Sequence, residues 1–203
     1  MRSGATVLAS VAALMLQATT GFAEPITFEA NLTETLEVPS TGSPATGFGT
    51  VALDLLANTM GVDVTFSGLE AGTTAAHIHC CLSSPFLTGE NVMVATTTPT
   101  FTGFPLRVTS GTYSHVFDLT DPASYNSAFI TSTFNPSSTV AGAEAALVAG
   151  IQSGETYLNI HTSMFPGGEI RGFLVPVPEP ASLVLVATAL AGFGLIRRRR
   201  SKA

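Results

Sequence analysis

Positive charge is scarce in the middle of this 203-residue chain. Of its eight basic residues, only Arg107 and Arg171 lie between residues 24 and 178, a stretch that holds thirteen acidic residues. A surface this acidic repels phosphate and anionic lipid headgroups, and it has no basic patch to attract them. Nucleic-acid binding is therefore excluded, and an anionic polysaccharide would also be repelled unless a divalent cation bridges the two.

The sequence also lacks the usual catalytic motifs. It has no Gly-x-Ser-x-Gly nucleophile elbow, no phosphate-binding glycine-rich loop before a helix and no dinucleotide fingerprint. Acidic residues are plentiful, but nothing in their spacing indicates the carboxylate pair of a glycosidase. We therefore predict that the protein is not an enzyme.

The N-terminus has the pattern of a secretory signal peptide. Arg2 is followed by an apolar block from residue 5 to 16, and small residues surround Phe22 at the end of the segment 1–23. The alternative, a retained membrane anchor, is disfavoured because the apolar block is too short to span a bilayer comfortably. We predict cleavage by signal peptidase after Ala23 and export across the inner membrane.

The C-terminus has three parts in a fixed order. Pro178, Glu179 and Pro180 precede the uncharged segment 181–196, which is followed by a basic tail of Arg197, Arg198, Arg199, Arg200 and Lys202. A helix over 181–196 is about 24 Å long, slightly less than the hydrocarbon thickness. The arginines hold the tail in the cytoplasm, so the rest of the chain lies outside the inner membrane.

This order resembles a PEP-CTERM sorting signal, here spanning residues 177–203. The resemblance implies that an exosortase-type transpeptidase recognises Pro178, Glu179 and Pro180 and removes the tail. The protein would then leave its transient membrane anchor for the outer surface or the exopolysaccharide matrix. An ordinary C-terminal anchor that contains Pro-Glu-Pro by coincidence is the alternative.

The segment 24–176 predicts one all-β domain. Short alternating or β-branched runs recur between glycine- and proline-rich spacers, at residues 26–36, 48–56, 60–66, 75–80, 92–97 and 113–117 and in a closing hairpin at 157–174. This spacing predicts an antiparallel β-sandwich of about seven or eight strands, similar to an immunoglobulin or superoxide dismutase domain. Two helical insertions are predicted, one opening at Asp121-Pro122 toward Ile130 and one over residues 139–151.

Three short motifs resemble the CHRD domain, a module first named from chordin and common in bacterial surface proteins. They are Ala76-His77-Ile78-His79, Asn159-Ile160-His161-Thr162 and Gly168-Glu169-Ile170-Arg171-Gly172, and the resemblance extends over residues 26–174. The biochemical activity of the family is poorly defined, so the resemblance implies fold and location more than chemistry.

Histidines are the main candidate ligands. Strand alternation places His77 and His79 on one face, about 7 Å apart along the backbone. If their strand neighbours the one that contains His161, the three imidazoles form a set that zinc or copper(II) accepts. In the alternative, the histidines are hydrogen-bonded structural side chains. Four histidines are too few for a copper-zinc dismutase site, and no blue-copper ligand loop is present.

The two cysteines, Cys80 and Cys81, are adjacent. In an oxidising compartment they can close a vicinal disulfide, remain thiols or link to another chain. We favour a disulfide or an inert pair, but alternation places Cys81 on the histidine face, which makes it a further candidate metal ligand.

Glu169 and Arg171 share a strand face two residues apart, which predicts a structural ion pair, with a role in binding a ligand or carboxylate as the alternative. The sequence as a whole thus predicts an exported, non-catalytic module of the cell surface or matrix. A metal-binding protein with a three-histidine site is the alternative.

Overall fold

The computed structural model describes residues 24–178. The predicted signal peptide 1–23, Glu179 and Pro180 of the sorting motif, the predicted helix 181–196 and the basic tail lie outside this range. Across residues 24–178, no helix combines the length and the apolar character that crossing a membrane requires.

Eight antiparallel strands form one continuous sheet. They are β1 Ile26–Thr33, β2 Thr46–Asp54, β3 Thr59–Ser67, β4 Thr73–Cys80, β5 Gly111–Asp118, β6 Thr156–Thr162, β7 Ile170–Phe173 and β8 Val175–Pro176. Their order across the sheet is β4-β6-β7-β1-β2-β3-β5, and β8 pairs with β1. The predicted all-β antiparallel class is confirmed, and the sheet curls around a single apolar core.

Strand β3 shows why the alternating runs form this sheet. Val62, Val64 and Phe66 are buried, whereas the residues between them, Asp63 and Thr65, are exposed. Side chains of successive residues point to opposite faces of a strand, so the apolar face lies on the core and the polar face in solvent. The β2–β3 register runs without a break from Thr46↔Ser67 to Asp54↔Thr59.

Residues 92–97, predicted to be a strand, contain only two isolated bridges, Val94 to His79 and Thr96 to Tyr125. Bonds to side-chain hydroxyls occur here beside a few backbone bonds, in which the Cys80 amide donates to the Met93 carbonyl and the Ala95 amide donates to the Ile78 carbonyl, each at 3.0 Å. The Ile78 amide donates to Thr96 Oγ1 (3.0 Å) and the Ala76 amide donates to Thr100 Oγ1 (2.9 Å). The segment therefore covers the edge of β4 as an irregular loop.

Both helical insertions form near their predicted positions. A 3-10 turn over Pro122–Ser124 precedes α1, Ser127–Ile130, and the longer α2 spans Val140–Gln152. Thr139 caps α2 by accepting from the Gly142 amide at 3.1 Å. Gly154, at a φ of +73°, lies in the three-residue connection that leads from α2 into β6.

The part of the sheet formed by β4, β6 and β7 is buried on both faces. One face contributes Ile78, Leu158, Ile160 and Ile170 to the apolar core. The other face is polar and is covered by loops, yet its members are also buried: His77, His79, Tyr157, Asn159, His161 and Arg171. This covered polar face contains the candidate site.

Candidate metal centre

Pairing of β4 with β6 brings the three predicted histidines together. His79 lies opposite Tyr157, His77 opposite Asn159, and Ala75 opposite His161. One ligand nitrogen from each imidazole is available, and these three atoms all lie within 4.8 Å of one another. The adjacency on which the predicted metal site depends is therefore present.

Each imidazole has one ring nitrogen held by a backbone carbonyl. His77 Nε2 is 2.8 Å from the Pro99 carbonyl, His79 Nδ1 is 2.7 Å from that of Val92, and His161 Nδ1 is 3.0 Å from that of Pro166. A carbonyl only accepts, so each of these nitrogens carries the proton and donates it. The other nitrogen of each neutral ring is left with a lone pair.

The three remaining nitrogens have no partner. His77 Nδ1, His79 Nε2 and His161 Nε2 are buried and form no hydrogen bond. Buried polar atoms are nearly always satisfied, so three unsatisfied lone pairs at one place require an explanation. Proteins orient metal-binding histidines in this way, with the second ring nitrogen donating to a carbonyl or carboxylate.

Burial also keeps the rings in their neutral form. It lowers the pKa of His77 to about 4 and that of His79 to about 3, and it lowers the pKa of His161 in the same direction. A metal ion binds only the unprotonated imidazole nitrogen. At neutral pH all three rings are therefore in the form that binds a cation.

The dimensions of the group suit a small transition-metal ion. With metal–nitrogen bonds of about 2.1 Å, ligand nitrogens in a tetrahedral site lie about 3.4 Å apart. In the structure these nitrogens lie up to 4.8 Å apart, so each ring has to move inward by roughly an ångström to bind one ion. Three nitrogens leave a fourth coordination position for water or another ligand.

Cys81 does not join this group. It is bonded to Cys80 in a vicinal disulfide that lies against Gly150 of α2, where an added Cβ would be 3.1 Å from Cys81 Sγ. Strand β4 ends at Cys80, so strand alternation does not determine the direction of the next side chain. This corrects the prediction of a Cys81 thiolate ligand.

The predicted ion pair is replaced by two separate networks. Glu169 precedes β7, and its fully buried carboxylate accepts hydrogen bonds from Ser43 Oγ (2.7 Å), the Glu70 amide (2.7 Å) and Thr162 Oγ1 (2.6 Å). Within residues 24–178, none of the hydrogen bonds of Glu169 involves Arg171.

Arg171 is fully buried and has its own partners. Its Nε donates to the Leu36 carbonyl, and its Nη1 donates to the Glu90 carbonyl (3.2 Å) and to Asn91 Oδ1 (2.9 Å). The guanidinium carbon also lies 4.4 Å from the centre of the Tyr157 ring.

Glu37 is the main member of this polar face that sequence reasoning missed. Its carboxyl oxygen Oε1 is buried without a hydrogen-bond partner, as are Asn159 Oδ1 and Arg171 Nη2. Burial raises the pKa of Glu37 to about 7, against the opposing effect of the Arg171 charge. No strand pattern includes Glu37, because it follows the 3-10 turn at Glu34–Leu36.

Comparisons with known proteins agree with the sequence motifs. A family model described as the CHRD domain matches residues 28–174, and one described as the PEP-CTERM protein-sorting motif matches residues 176–200. No curated protein and no solved structure matches the chain. Both predicted resemblances are confirmed, and the sorting motif identifies an exported, envelope-associated protein that an exosortase-type enzyme processes.

Proposed function

We propose that this chain, which belongs to the CHRD domain family and is sorted through a PEP-CTERM motif, is a non-catalytic envelope module that binds one zinc or copper ion. The proposed ligands are His77, His79 and His161. The single observation that carries the proposal is the cluster of three buried imidazoles, each of which keeps one ring nitrogen without a hydrogen-bond partner.

The choice of metal follows from the donor type. Imidazole nitrogen suits zinc and copper, whereas magnesium and calcium require oxygen ligands. The three rings are neutral, and no carboxylate belongs to the group of convergent ligand atoms in the described part of the chain. The set therefore favours a borderline transition-metal ion over a hard cation.

The non-catalytic part of the proposal is supported by the position of Glu169. A hydrolytic metal site needs a general base near the metal-bound water. Glu169 follows His161 in the same hairpin, but its carboxylate is already held by Ser43, Thr162 and the Glu70 amide. It is therefore a structural acceptor in this proposal.

Calorimetric titration of the purified full-length protein with zinc and with copper(II) tests the metal site. We expect one ion per chain for the wild type, no binding for His79→Ala and wild-type binding for the matched control His115→Ala, because His115 lies on β5 outside the group. Thermal unfolding gives a second readout, since an ion at 1,000 times its Kd adds about 4.1 kcal/mol to the stability of the folded state. A wild-type protein that binds neither ion at micromolar affinity refutes the proposal.

We also propose that the mature protein resides on the outer surface or in the exopolysaccharide matrix. The sorting motif supports this, because Pro178 lies two residues after the end of β8 and the tail beyond it is the segment to be removed. Mass spectrometry of the protein from cells with and without the sorting enzyme, together with fractionation, provides the test. A tail retained in both strains, with the protein in the inner membrane, contradicts this location.

A further inference from the structure

Three side chains from three neighbouring strands form a column beside the histidine group. The Tyr157 ring lies 4.7 Å from the His79 ring, centre to centre, with only 13° between the two planes. The Arg171 guanidinium carbon lies 4.4 Å from the centre of the same Tyr157 ring. Because β6 lies between β4 and β7, Tyr157 separates Arg171 from the histidine. The orientation of the His79 ring is thus linked through Tyr157 to Arg171.

The same three side chains hold one short segment of loop, residues 90–92. Arg171 Nη1 donates to the Glu90 carbonyl and to Asn91 Oδ1, and Tyr157 Oη accepts from the Val92 amide at 3.2 Å. The Val92 carbonyl in turn accepts the proton of His79 Nδ1 at 2.7 Å. The acceptor that fixes the tautomer of His79 therefore belongs to a segment that Arg171 holds in place.

We propose that Arg171 is a positioning residue for His79: by holding residues 90–92 and stacking on Tyr157, it keeps the His79 lone pair directed at the metal. This inference rests on the proposed metal site and extends it to a residue that is not one of the proposed ligands and whose hydrogen bonds go to Leu36, Glu90 and Asn91. Partners in the outer shell of a metal site are worth about 10- to 100-fold in metal affinity. A lysine keeps the charge of Arg171 but cannot reproduce its planar set of donors.

Two variants and one control separate positioning from a merely structural role. In Arg171→Lys the planar donors are lost. In Asn91→Ala the arginine stays and the segment loses one exposed side chain, which accepts from Arg171 Nη1 and donates to the Val38 carbonyl (2.9 Å). Arg107→Lys is the matched control, because Arg107 is the other arginine of the domain and is exposed. All three are compared with the wild type as purified full-length proteins.

The first readout is the zinc affinity, measured by competition with a chelator. We expect it to fall about 10- to 100-fold in Arg171→Lys and by a smaller factor in Asn91→Ala, with no change in Arg107→Lys. The second readout is the ¹⁵N chemical shift of the His79 ring in metal-free protein. We expect a single tautomer with the proton on Nδ1 in the wild type and a mixture in Arg171→Lys, because the Val92 acceptor is no longer fixed.

The two readouts keep this proposal separate from the metal site itself. If the wild type binds no zinc but the tautomer responds to Arg171→Lys, the metal site is refuted and the positioning of His79 by Arg171 stands. If Arg171→Lys does not fold, Asn91→Ala decides by the same two measurements. Folded variants with unchanged zinc affinity and an unchanged His79 tautomer overturn the proposal.

Discussion

The two halves of this sheet treat their polar faces in opposite ways. In β3, polar residues such as Asp63 and Thr65 alternate with core residues and are exposed to solvent. In β6 the same alternation is present, yet all seven residues from Thr156 to Thr162 are buried. A period of two therefore identifies the faces of a strand but does not tell which face meets water.

Burying the polar face of one half of the sheet costs free energy, and the polar groups that remain without a partner indicate where a ligand binds. A buried polar group is costly unless it is hydrogen-bonded, so the β4–β6–β7 half needs acceptors and donors from the loops that cover it. Two of the carbonyls that orient the histidines belong to Pro99 and Pro166. Proline has a backbone carbonyl but no amide proton. A buried proline therefore offers an acceptor to the histidine and brings no amide donor that would need a partner of its own. The lone pairs that remain unsatisfied mark the candidate site.

The largest expected effect is the pH dependence of the buried histidines. Burial holds the pKa of His77 at about 4 and that of His79 at about 3, whereas in the unfolded chain each is near 6.5. Between these pKa values the unfolded chain binds more protons than the folded protein does. The contribution of the neutral histidines to the free energy of unfolding is therefore fully present above pH 6.5 and is lost as the pH falls. Each histidine contributes up to about 1.4 kcal/mol per pH unit in this window.

Urea denaturation of metal-free protein between pH 7.5 and 4 measures this effect, and we expect a loss of several kcal/mol in total. The variant for comparison is His79→Gln. Burial raises the pKa of Glu37 to about 7, so Glu37 makes the protein more stable as the pH falls, and this contribution is the same in the wild type and in the variant. The variant should show a shallower slope below pH 6.5. Identical slopes would contradict the buried, neutral state of His79.

The two arginines of the domain give the next largest contrast. Arg171 is fully buried with three hydrogen bonds, whereas Arg107 is exposed. We expect Arg171→Ala to lower the free energy of unfolding by about 3 kcal/mol or more, because it removes three charge-assisted hydrogen bonds and the packing of a fully buried side chain. Arg107→Ala should cost less than 1 kcal/mol, as exposed charges usually do. Denaturant midpoints measure both losses. Equal losses would mean that the buried arginine contributes no more to stability than the exposed one.

Strand positions and their faces could be predicted from the sequence, because alternation depends on side chains alone. It placed His77 with His79, and Tyr157 with Asn159 and His161, on shared faces. It could not tell that β4 and β6 are neighbours. Their ladder joins backbone groups that every residue has, and about eighty residues separate the two strands.

The two site predictions that needed correction share one cause. Cys81 follows the last residue of β4, and Glu169 precedes the first residue of β7. Alternation holds only inside a strand, so neither side chain lies on the face that was assigned to it. Gly168, at a φ of +128°, lies immediately before Glu169, and the chain turns there into β7. Strand ends are the least certain part of any pattern-based assignment.

Glu169 and Glu70 allow a comparison between two acidic residues that contact each other through one hydrogen bond. The Glu169 carboxylate is fully buried and accepts from Ser43, Thr162 and the Glu70 amide, whereas the Glu70 side chain is exposed. Glu169→Ala leaves these donors without an acceptor and should cost about 2 to 3 kcal/mol. Glu70→Ala keeps its own amide and should stay within about 0.5 kcal/mol. Unfolding midpoints that rank the two variants in the reverse order would contradict this assignment.

The smallest expected effect compares two threonines in the two halves of the sheet. Thr162 in β6 is buried, and its hydroxyl donates to Glu169 Oε2 at 2.6 Å and accepts from the Phe165 amide at 3.2 Å. Thr65 in β3 is exposed. Valine has nearly the shape of threonine and suits a strand, so replacing either threonine by valine removes little except the hydroxyl.

We expect Thr162→Val to lower the free energy of unfolding by about 1 to 2 kcal/mol, because a buried acceptor and a buried donor each lose a partner. Thr65→Val should change it by less than about 0.5 kcal/mol, since water replaces the lost hydroxyl. Chemical denaturation at pH 7.5 measures both, with the zinc affinity of each variant as a check that the histidine group is intact. Equal losses of stability in the two variants would mean that a buried hydroxyl on the covered face contributes no more to stability than a hydroxyl exposed to water. The contrast between the two halves of the sheet would then rest on packing alone.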